Sequence, residues 1–481
     1  MYKNFRDGFF WSAVGQYGRI ISLFIINMFL SRLLTPKEYG QVAMITIFIT
    51  FFQLMTEAGL GPAIIQQKHF RDKDHSNLFT ISILFSIGFA CLFGIFGFAI
   101  AYYYNDADYV RFSWMLSIVV LFSGMQIVPN AVLLKKQLFK TVNLINLLVT
   151  IVSGIVCVFF AIEGFGVYTL IFNSILTAIL TFLLITIVSG VVPTKKIDLN
   201  PLKKVWSFSK NQFGFNFINY FSRNSDSLLI GKFMSSEALG NYNKSYQLLM
   251  YPVTIFGGVV TPILQPVLSN YQDDPKIVRE VYFKIIKVLA ILTIPFSVFL
   301  ILSAKQIILI MFGNQWHAAI KPFSILSSTV WIQVITSTAG AIFQARNKTK
   351  ELFLTGTLSA IILVTAIIIG VTLGTIQTVA ICLSIAFWGN FIQSYWFLTH
   401  KVLDSNMFQL LKLFVNPTFL GVIMFVTFAL YNYLADNFFS SIFIDLLVRI
   451  ILFTVVFIIG VLSCGEYNTL VNLIIKKHSG N

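Results

Sequence analysis

Five ionisable side chains stand well inside apolar runs of the chain: Arg19, Glu57, Arg223, Asp226 and Lys244. Their polar neighbours keep helical spacing. Gln212, Asn216, Asn219, Arg223 and Asp226 step by four, three, four and three residues, and Thr46, Thr50, Gln53 and Glu57 by four, three and four. Lys244, Gln247, Tyr251 and Thr254 repeat the pattern. Such steps place each set on one face of an α-helix. A charge facing hydrocarbon costs at least ~2.5 to 3.5 kcal/mol at the bilayer centre, so these faces are expected to meet partners or one shared wet cavity. The chemistry they suit is binding and passing on a charged ligand. Three cations against two acids leave a surplus of one positive charge, which disfavours an organic cation as that ligand. Two quieter readings stay open at this point: Arg223 and Asp226, three apart, pair with each other, and Lys244 reaches out to the surface.

The elements that must position these groups are membrane helices. The chain is 57% hydrophobic and only 11% charged, with 50 Phe, and its mean hydropathy is +0.81. Water-facing surface needs more charge than that. Fourteen apolar runs long enough to cross a ~30 Å hydrocarbon layer recur from 9–34 to 441–463. They do not alternate polar and apolar residues, which excludes a transmembrane barrel. The basic N-terminus leads into an apolar run without a small-residue cleavage site, so the first helix is expected to be retained. With both termini cytoplasmic, most of the 34 Lys and Arg, including Lys195, Lys196, Lys203 and Lys204, fall on the inner side. The net charge of +15 is therefore a positive-inside signal and not a nucleic-acid footprint.

Other chemistry finds little support. The loops are too short for a soluble catalytic domain, and no glycine-rich nucleotide loop is present. Cys91, Cys157, Cys382 and Cys464 and the five histidines show no metal-ligand spacing, so no metal is expected. Asp106 and Asp108, two apart in an outer turn, are the one pair that suits metal-dependent glycosyl transfer; a solvated turn is the plainer reading.

A repeat organises the chain. Residue n set beside n + 200 aligns LSRLLTPKEYG (30–40) with IGKFMSSEALG (230–240) without a gap. Arg32 meets Lys232, Thr35 meets Ser235, Gly40 meets Gly240 and Pro62 meets Pro262. Six helices separate the copies, an even number, so both enter the membrane in one direction and the symmetry axis is expected along the membrane normal. The expected architecture is an all-α polytopic membrane protein of about fourteen spans. A six-helix lobe (1–193), a basic, proline-flanked linker (194–204) and a second six-helix lobe (205–400) precede two further helices and a tail (401–481).

At RNSDSLLIGKFMSSEALGNYNKSYQLLMYPV (223–253), LSRLLTPKEYGQVAM (30–44) and EAGLGPAIIQ (57–66) the chain resembles the Wzx-type polysaccharide flippases of the MOP exporter superfamily. The resemblance covers roughly residues 1–400. It implies a central cavity lined by helices 1, 2, 7 and 8, and alternating access that flips undecaprenyl-pyrophosphate-linked oligosaccharide across the bacterial cytoplasmic membrane. Arg19, Arg223 and Lys244 would then hold the pyrophosphate, because guanidinium forks match phosphate oxygens. Gln16, Asn216, Asn219 and Gln247 would bond sugar hydroxyls, and Glu57 or Asp226 would bind a coupling H⁺ or Na⁺. The expected chain is a monomer, not an enzyme, and needs no cofactor beyond that ion. Its partners are the lipid-linked substrate, membrane lipids, a polysaccharide polymerase and glycosyltransferases. The competing readings are a lipid II flippase, a multidrug or cation antiporter, and a membrane glycosyltransferase or polymerase resting on Asp106 and Asp108.

Overall fold

The computed structural model describes residues 2–57, 60–67, 70–195, 198, 220, 224–435 and 441–466. Among them there is no strand. The helices are α1 (Tyr2–Leu33), α2 (Pro36–Glu57), α3 (Leu60–Gln66), α4 (Asp72–Tyr104), α5 (Asp108–Met125), α6 (Ile127–Lys135), α7 (Phe139–Ile162) and α8 (Val167–Ser189). After α9 (224–233) come α10 (Ser236–Leu268), α11 (Pro275–Leu302), α12 (Ala304–Phe312), α13 (His317–Ser327) and α14 (Val330–Ala345). The chain continues through α15 (Thr349–Thr372), α16 (Ile376–Phe397), α17 (Met407–Lys412), α18 (Val415–Ala435) and α19 (Ile442–Ser463).

Among the described residues eleven helical stretches are long and apolar enough to cross a membrane, α5 with α6 counting as one of them, or twelve when α13 and α14, bent by 56°, count as one broken span. Each falls on one of the expected runs. The first run is the 32-residue α1, and most of the seventh (205–231) lies outside the described residues. The outward faces are apolar, as in Phe98 on α4 and Ile155 on α7, and suit contact with lipid tails.

The described residues form two compact units, 1–240 and 241–481. In the first, α4 runs back along α5, α1 packs on α7, and α7 on α8. Glycines set the close approaches. A β-carbon on Gly97 would lie 2.5 Å from Ser113 Cβ, and one on Gly15 would lie 2.5 Å from Asn143 Cβ. Small residues are what let helices associate closely in lipid, where no hydrophobic gain separates helix from tail. One break matters for the site: α5 gives way to α6 at Gln126. Pro129 has no N–H for the carbonyl one turn earlier, which is why the break sits there. Near the start of α4, Thr194 and Asp198 are tied to it: Thr194 N–H donates to Thr80 Oγ1 at 2.8 Å and Asp198 N–H to Asn77 Oδ1 at 3.1 Å.

In the second unit α11 is the central helix, flanked by α14, α13 and α18. It starts where Asp274 accepts from the amides of Lys276 and Ile277, with Pro275 in its first turn. Its Tyr282 hydroxyl bonds Thr338 Oγ1 at 2.9 Å and the Tyr395 hydroxyl at 2.8 Å, tying three helices in the interior. α18 packs on α11 and α19 on α12, so the two last helices are integral to this unit.

Candidate functional site

The repeat is visible in the backbone. Residues 31–40 and 231–240 adopt the same state position by position, helix, a two-residue turn, then helix. In the first copy Thr35 N–H and Oγ1 donate to Glu38 Oε2 at 2.7 and 2.9 Å; in the second Ser235 Oγ accepts from Ala238 N–H at 3.0 Å. Both are N-caps of the following helix, which is what a hydroxyl residue before S/P-x-E or S-E-A sequence predicts. The first turns of α2 and α10 then touch without side chains. A β-carbon on Gly40 would lie 1.6 Å from the Ser236 carbonyl oxygen, and one on Gly240 would lie 1.9 Å from the Pro36 carbonyl oxygen. In the n + 200 register these are the same contact read from its two ends.

On α9 the Asp226 carboxylate accepts from Ser227 N–H at 2.7 Å. Lys232 donates to the Tyr103 carbonyl and sits 4.6 Å from the centre of the Tyr103 ring. That ring belongs to a run of tyrosines at the end of α4, the kind of aromatic belt that marks a membrane–water interface. Tyr220, one helical stretch earlier, donates its hydroxyl to the Ile47 carbonyl of α2. Arg223, Asn216 and Asn219 lie outside the described residues, as does the side chain of Gln16.

Arg19 is exposed on α1. The helix spends its Gly15 and Gly18 side on Asn143 and Leu147 of α7, which leaves the adjoining face with Arg19 open. Asn143, Thr150 and Ser153 on α7 turn to backbone carbonyls and to Thr177 of α8, so this uncharged stripe serves helix packing.

Lys244 behaves differently. It is only 3% exposed, with its ammonium 5.0 Å from the centre of the Phe312 ring and 5.7 Å from that of Trp316. Its neighbour Ser245 bonds the Ala319 carbonyl at 2.8 Å, which fixes α10 against α13. A cation enclosed by two ring faces gains roughly 2 kcal/mol or more when desolvated. In this arrangement the ammonium is closed off from solvent. Gln247, one turn on, is half-buried.

Glu57 ends the polar stripe of α2 in a cavity of about 430 Å³ inside the first unit. Gln53 lies one turn above it and donates Nε2–H to Ser123 Oγ of α5 at 2.9 Å. From the far wall come Gln126, at the α5–α6 break, and Asn130. Gly124 makes this geometry: a β-carbon there would lie 2.2 Å from Ser86 Oγ and 3.2 Å from Thr56 Cβ, so α5 presses directly on α2 and α4 beside the cavity.

Two polar clusters escaped the sequence reading. Asp445, four residues into α19, accepts both oxygens' worth of bonds: Arg449 Nε at 3.1 Å, Tyr431 hydroxyl at 2.6 Å and Gln306 Nε2 at 2.7 Å. The Arg449 guanidinium also donates to the Leu302 carbonyl at 3.0 Å and to Asn432 Oδ1 at 2.6 Å. At the opposite end of the same helices Glu466 holds Lys287 at 2.7 Å and Asn416 at 2.6 Å. The i, i+4 spacing of Asp445 and Arg449 was the available signal; the partners from α12 and α18 were not foreseeable from it.

Asp106 and Asp108 make the turn between α4 and α5. Asn105 takes the left-handed conformation, φ 56°, and Asp106 Oδ1 accepts from Asp108 N–H at 3.0 Å, so this carboxylate caps a helix start. Among the described residues no group of three or more His, Cys, Asp or Glu could hold a metal ion.

Comparison with known proteins adds four findings. A profile of the family described as polysaccharide biosynthesis protein matches residues 29–321. The teichuronic acid biosynthesis protein TuaB of Bacillus subtilis (strain 168) is 24% identical over 436 residues, 88% of this chain and 89% of its own length. The lipopolysaccharide biosynthesis protein WzxC of Escherichia coli (strain K12) is 21% identical over 429 residues, 86% of this chain and 84% of its own. Among solved structures, the lipid II flippase MurJ in an inward closed conformation superposes with a TM-score of 0.75 at 17% identity, over 96% of this chain and all 100% of that one, a likeness of fold.

Proposed function

The chain belongs to the polysaccharide biosynthesis protein family, and we propose that it carries undecaprenyl-pyrophosphate-linked oligosaccharide units from the inner to the outer leaflet of the bacterial cytoplasmic membrane by alternating access. It is a multi-pass membrane protein with the all-helical fold of MOP-superfamily transporters. The observation that carries the reading is that a polysaccharide-pathway chain here consists of spanning helices joined by short turns. A protein so built handles its polymer precursor as cargo.

The charges fit that cargo. A lipid pyrophosphate brings negative charge into a low-dielectric layer, and the charged, planar guanidinium can meet its oxygens with two parallel hydrogen bonds. In this reading Arg19 and Arg223 meet the pyrophosphate first and Lys244 joins when the α12–α13 segment moves. Gln16, Asn216, Asn219 and Gln247 serve sugar hydroxyls. Return of the empty carrier is driven by H⁺ or Na⁺ at Glu57 or Asp226, since a ligand shifts a conformational equilibrium only through different affinity for its two states. Both termini are cytoplasmic, residues 1–193 and 205–400 act as the two lobes of a monomer, and a polymerase and glycosyltransferases are the neighbours in the pathway.

The likeness of fold to the lipid II flippase favours one second reading, with lipid II as cargo. Deleting the gene and identifying the lipid-linked sugar that accumulates tests both. The proposal expects a completed oligosaccharide on undecaprenyl pyrophosphate at the inner leaflet. Accumulated lipid II selects the second reading, and an incomplete lipid-linked sugar points to a transferase.

A further inference from the structure

The Glu57 cavity offers acceptors and asks for a cation. Among the described residues lining it, Glu57 is the only charged one, and no Lys, Arg or His is among these. Gln126 Oε1, at the α5–α6 break, and Asn130 Oδ1, one turn on in α6, are buried oxygens that no described protein group hydrogen-bonds. Gln53 faces them from α2 with its amide N–H already given to Ser123. Two amide oxygens that no protein group pairs, beside a carboxylate, are a donor set suited to a cation.

From this geometry we infer that the cavity is a binding site for a hydrated monovalent cation of sodium's kind, held by Glu57 with Gln126 Oε1 and Asn130 Oδ1. Three arguments fix the class. A single carboxylate neutralises one positive charge, whereas a divalent ion would keep a net charge in an apolar surround. Carboxylate and amide oxygens are hard donors, which suit alkali ions and not thiolate- or imidazole-seeking metals. A proton on Glu57 would satisfy that carboxylate alone and leave both amide oxygens as they are, while an ion with its waters reaches all three. At about 430 Å³ the cavity has room for the ion and several waters, each taking roughly 30 Å³.

The second repeat lacks the site. Gly257 stands where the n + 200 register places the counterpart of Glu57, and a β-carbon on it would lie 2.5 Å from Ser337 Oγ. The cation therefore belongs to the first unit alone. This deepens the reading of the chain as an ion-driven carrier and selects Glu57 over Asp226 as the coupling acid.

The test is equilibrium binding of radioactive Na⁺ to the purified full chain in detergent, which needs no transport. The wild type is expected to bind Na⁺ saturably, one ion per chain, with competition by Li⁺ and none by choline. Glu57→Gln should weaken binding at least about tenfold, as loss of one charge-assisted contact implies; Asn130→Leu should weaken it less, and Glu163→Gln, at the exposed end of α7, should bind as wild type. Because Glu57→Gln alone could act by misfolding, the double variant Glu57→Gln/Asn130→Asp, which moves the charge across the cavity, should regain much of the affinity. Absence of saturable binding by the wild type, or undiminished binding by Glu57→Gln, overturns the site. Na⁺ binding in a chain that flips no lipid leaves the site standing and removes the carrier reading.

Discussion

Gly40 and Gly240 stand at equivalent places in the two copies of one hairpin, and each meets the other copy's first helical turn with a bare α-carbon. The carbonyl oxygens of Ser236 and Pro36 occupy the space that side chains would need, 1.6 and 1.9 Å from where the β-carbons would be. Reciprocity of this kind, 40 on 236 and 240 on 36, is what a twofold operator produces, and it gives the weak sequence repeat a physical reason to keep glycine at both positions.

The contact predicts the effect of one methyl group. Gly40→Ala or Gly240→Ala forces α2 and α10 apart, and overpacking of this sort costs roughly 1 to 3 kcal/mol or more. Both variants are expected to melt at lower temperature in detergent than Gly356→Ala, where a β-carbon meets nothing within 4 Å. Equal melting of all three would mean that the crossing is slack.

A second prediction concerns the α18–α19 hairpin. Arg449 is only 5% exposed, so Arg449→Met leaves the half-buried Asp445 carboxylate without its cation, a loss of roughly 1 to 3 kcal/mol. Low membrane abundance and a lowered melting temperature are expected. The double variant Arg449→Met/Asp445→Leu should recover part of both, because removing two charges together spares the uncompensated one. If the double variant is as impaired as the single, the hydrogen bonds to Leu302 and Asn432 carry the stability instead.

Much of this was legible in advance because its physics is local. Hydropathy fixes the spans one run at a time, and TPKE and SSEA mark their own helix starts through the caps of Thr35 and Ser235. The helical step of Gln53 and Glu57 correctly groups them on one face. What periodicity does not carry is the identity of the facing partner. Lys244 shares a stripe with Gln247, yet Phe312 and Trp316, far along the chain, decide that it is enclosed. Gln126 and Asn130 look like ordinary amides in an apolar run until the break imposed by Pro129 turns them toward Glu57. Asp445 and Arg449 read as a helix-surface pair, and only packing of α19 on α12 makes them a partly buried network.

Sidedness is testable with thiols. Phe70 and Asp198 lie near the start of α4, where Thr194 and Asp198 bond to it, and Asp106 lies beyond its other end. In a chain freed of its four native cysteines, a cysteine at 106 is expected to react with an impermeant reagent in intact cells, and cysteines at 70 and 198 only after the inner face is opened. Labelling at 198 in intact cells would reverse the orientation.

The turn aspartates separate transport from catalysis. Asp106 spends its carboxylate on the Asp108 amide, so Asp106→Ala/Asp108→Ala should lower stability slightly, by about 1 kcal/mol for a lost cap, and leave polymer export intact. Export abolished at normal membrane abundance would favour a glycosyl-transfer role.

The central claim is movement of a lipid pyrophosphate across the bilayer. The most direct measurement is flipping in proteoliposomes that contain the purified chain and undecaprenyl-pyrophosphate-linked oligosaccharide, read by exposure of the sugar to an impermeant oxidant on the trans side. The account predicts protein-dependent exposure that falls at least about tenfold in Arg19→Ala and Arg223→Ala, and that Arg223→Lys fails to restore, because an ammonium lacks the bidentate fork. Exposure no faster than in protein-free vesicles, or undiminished in both arginine variants, would contradict it.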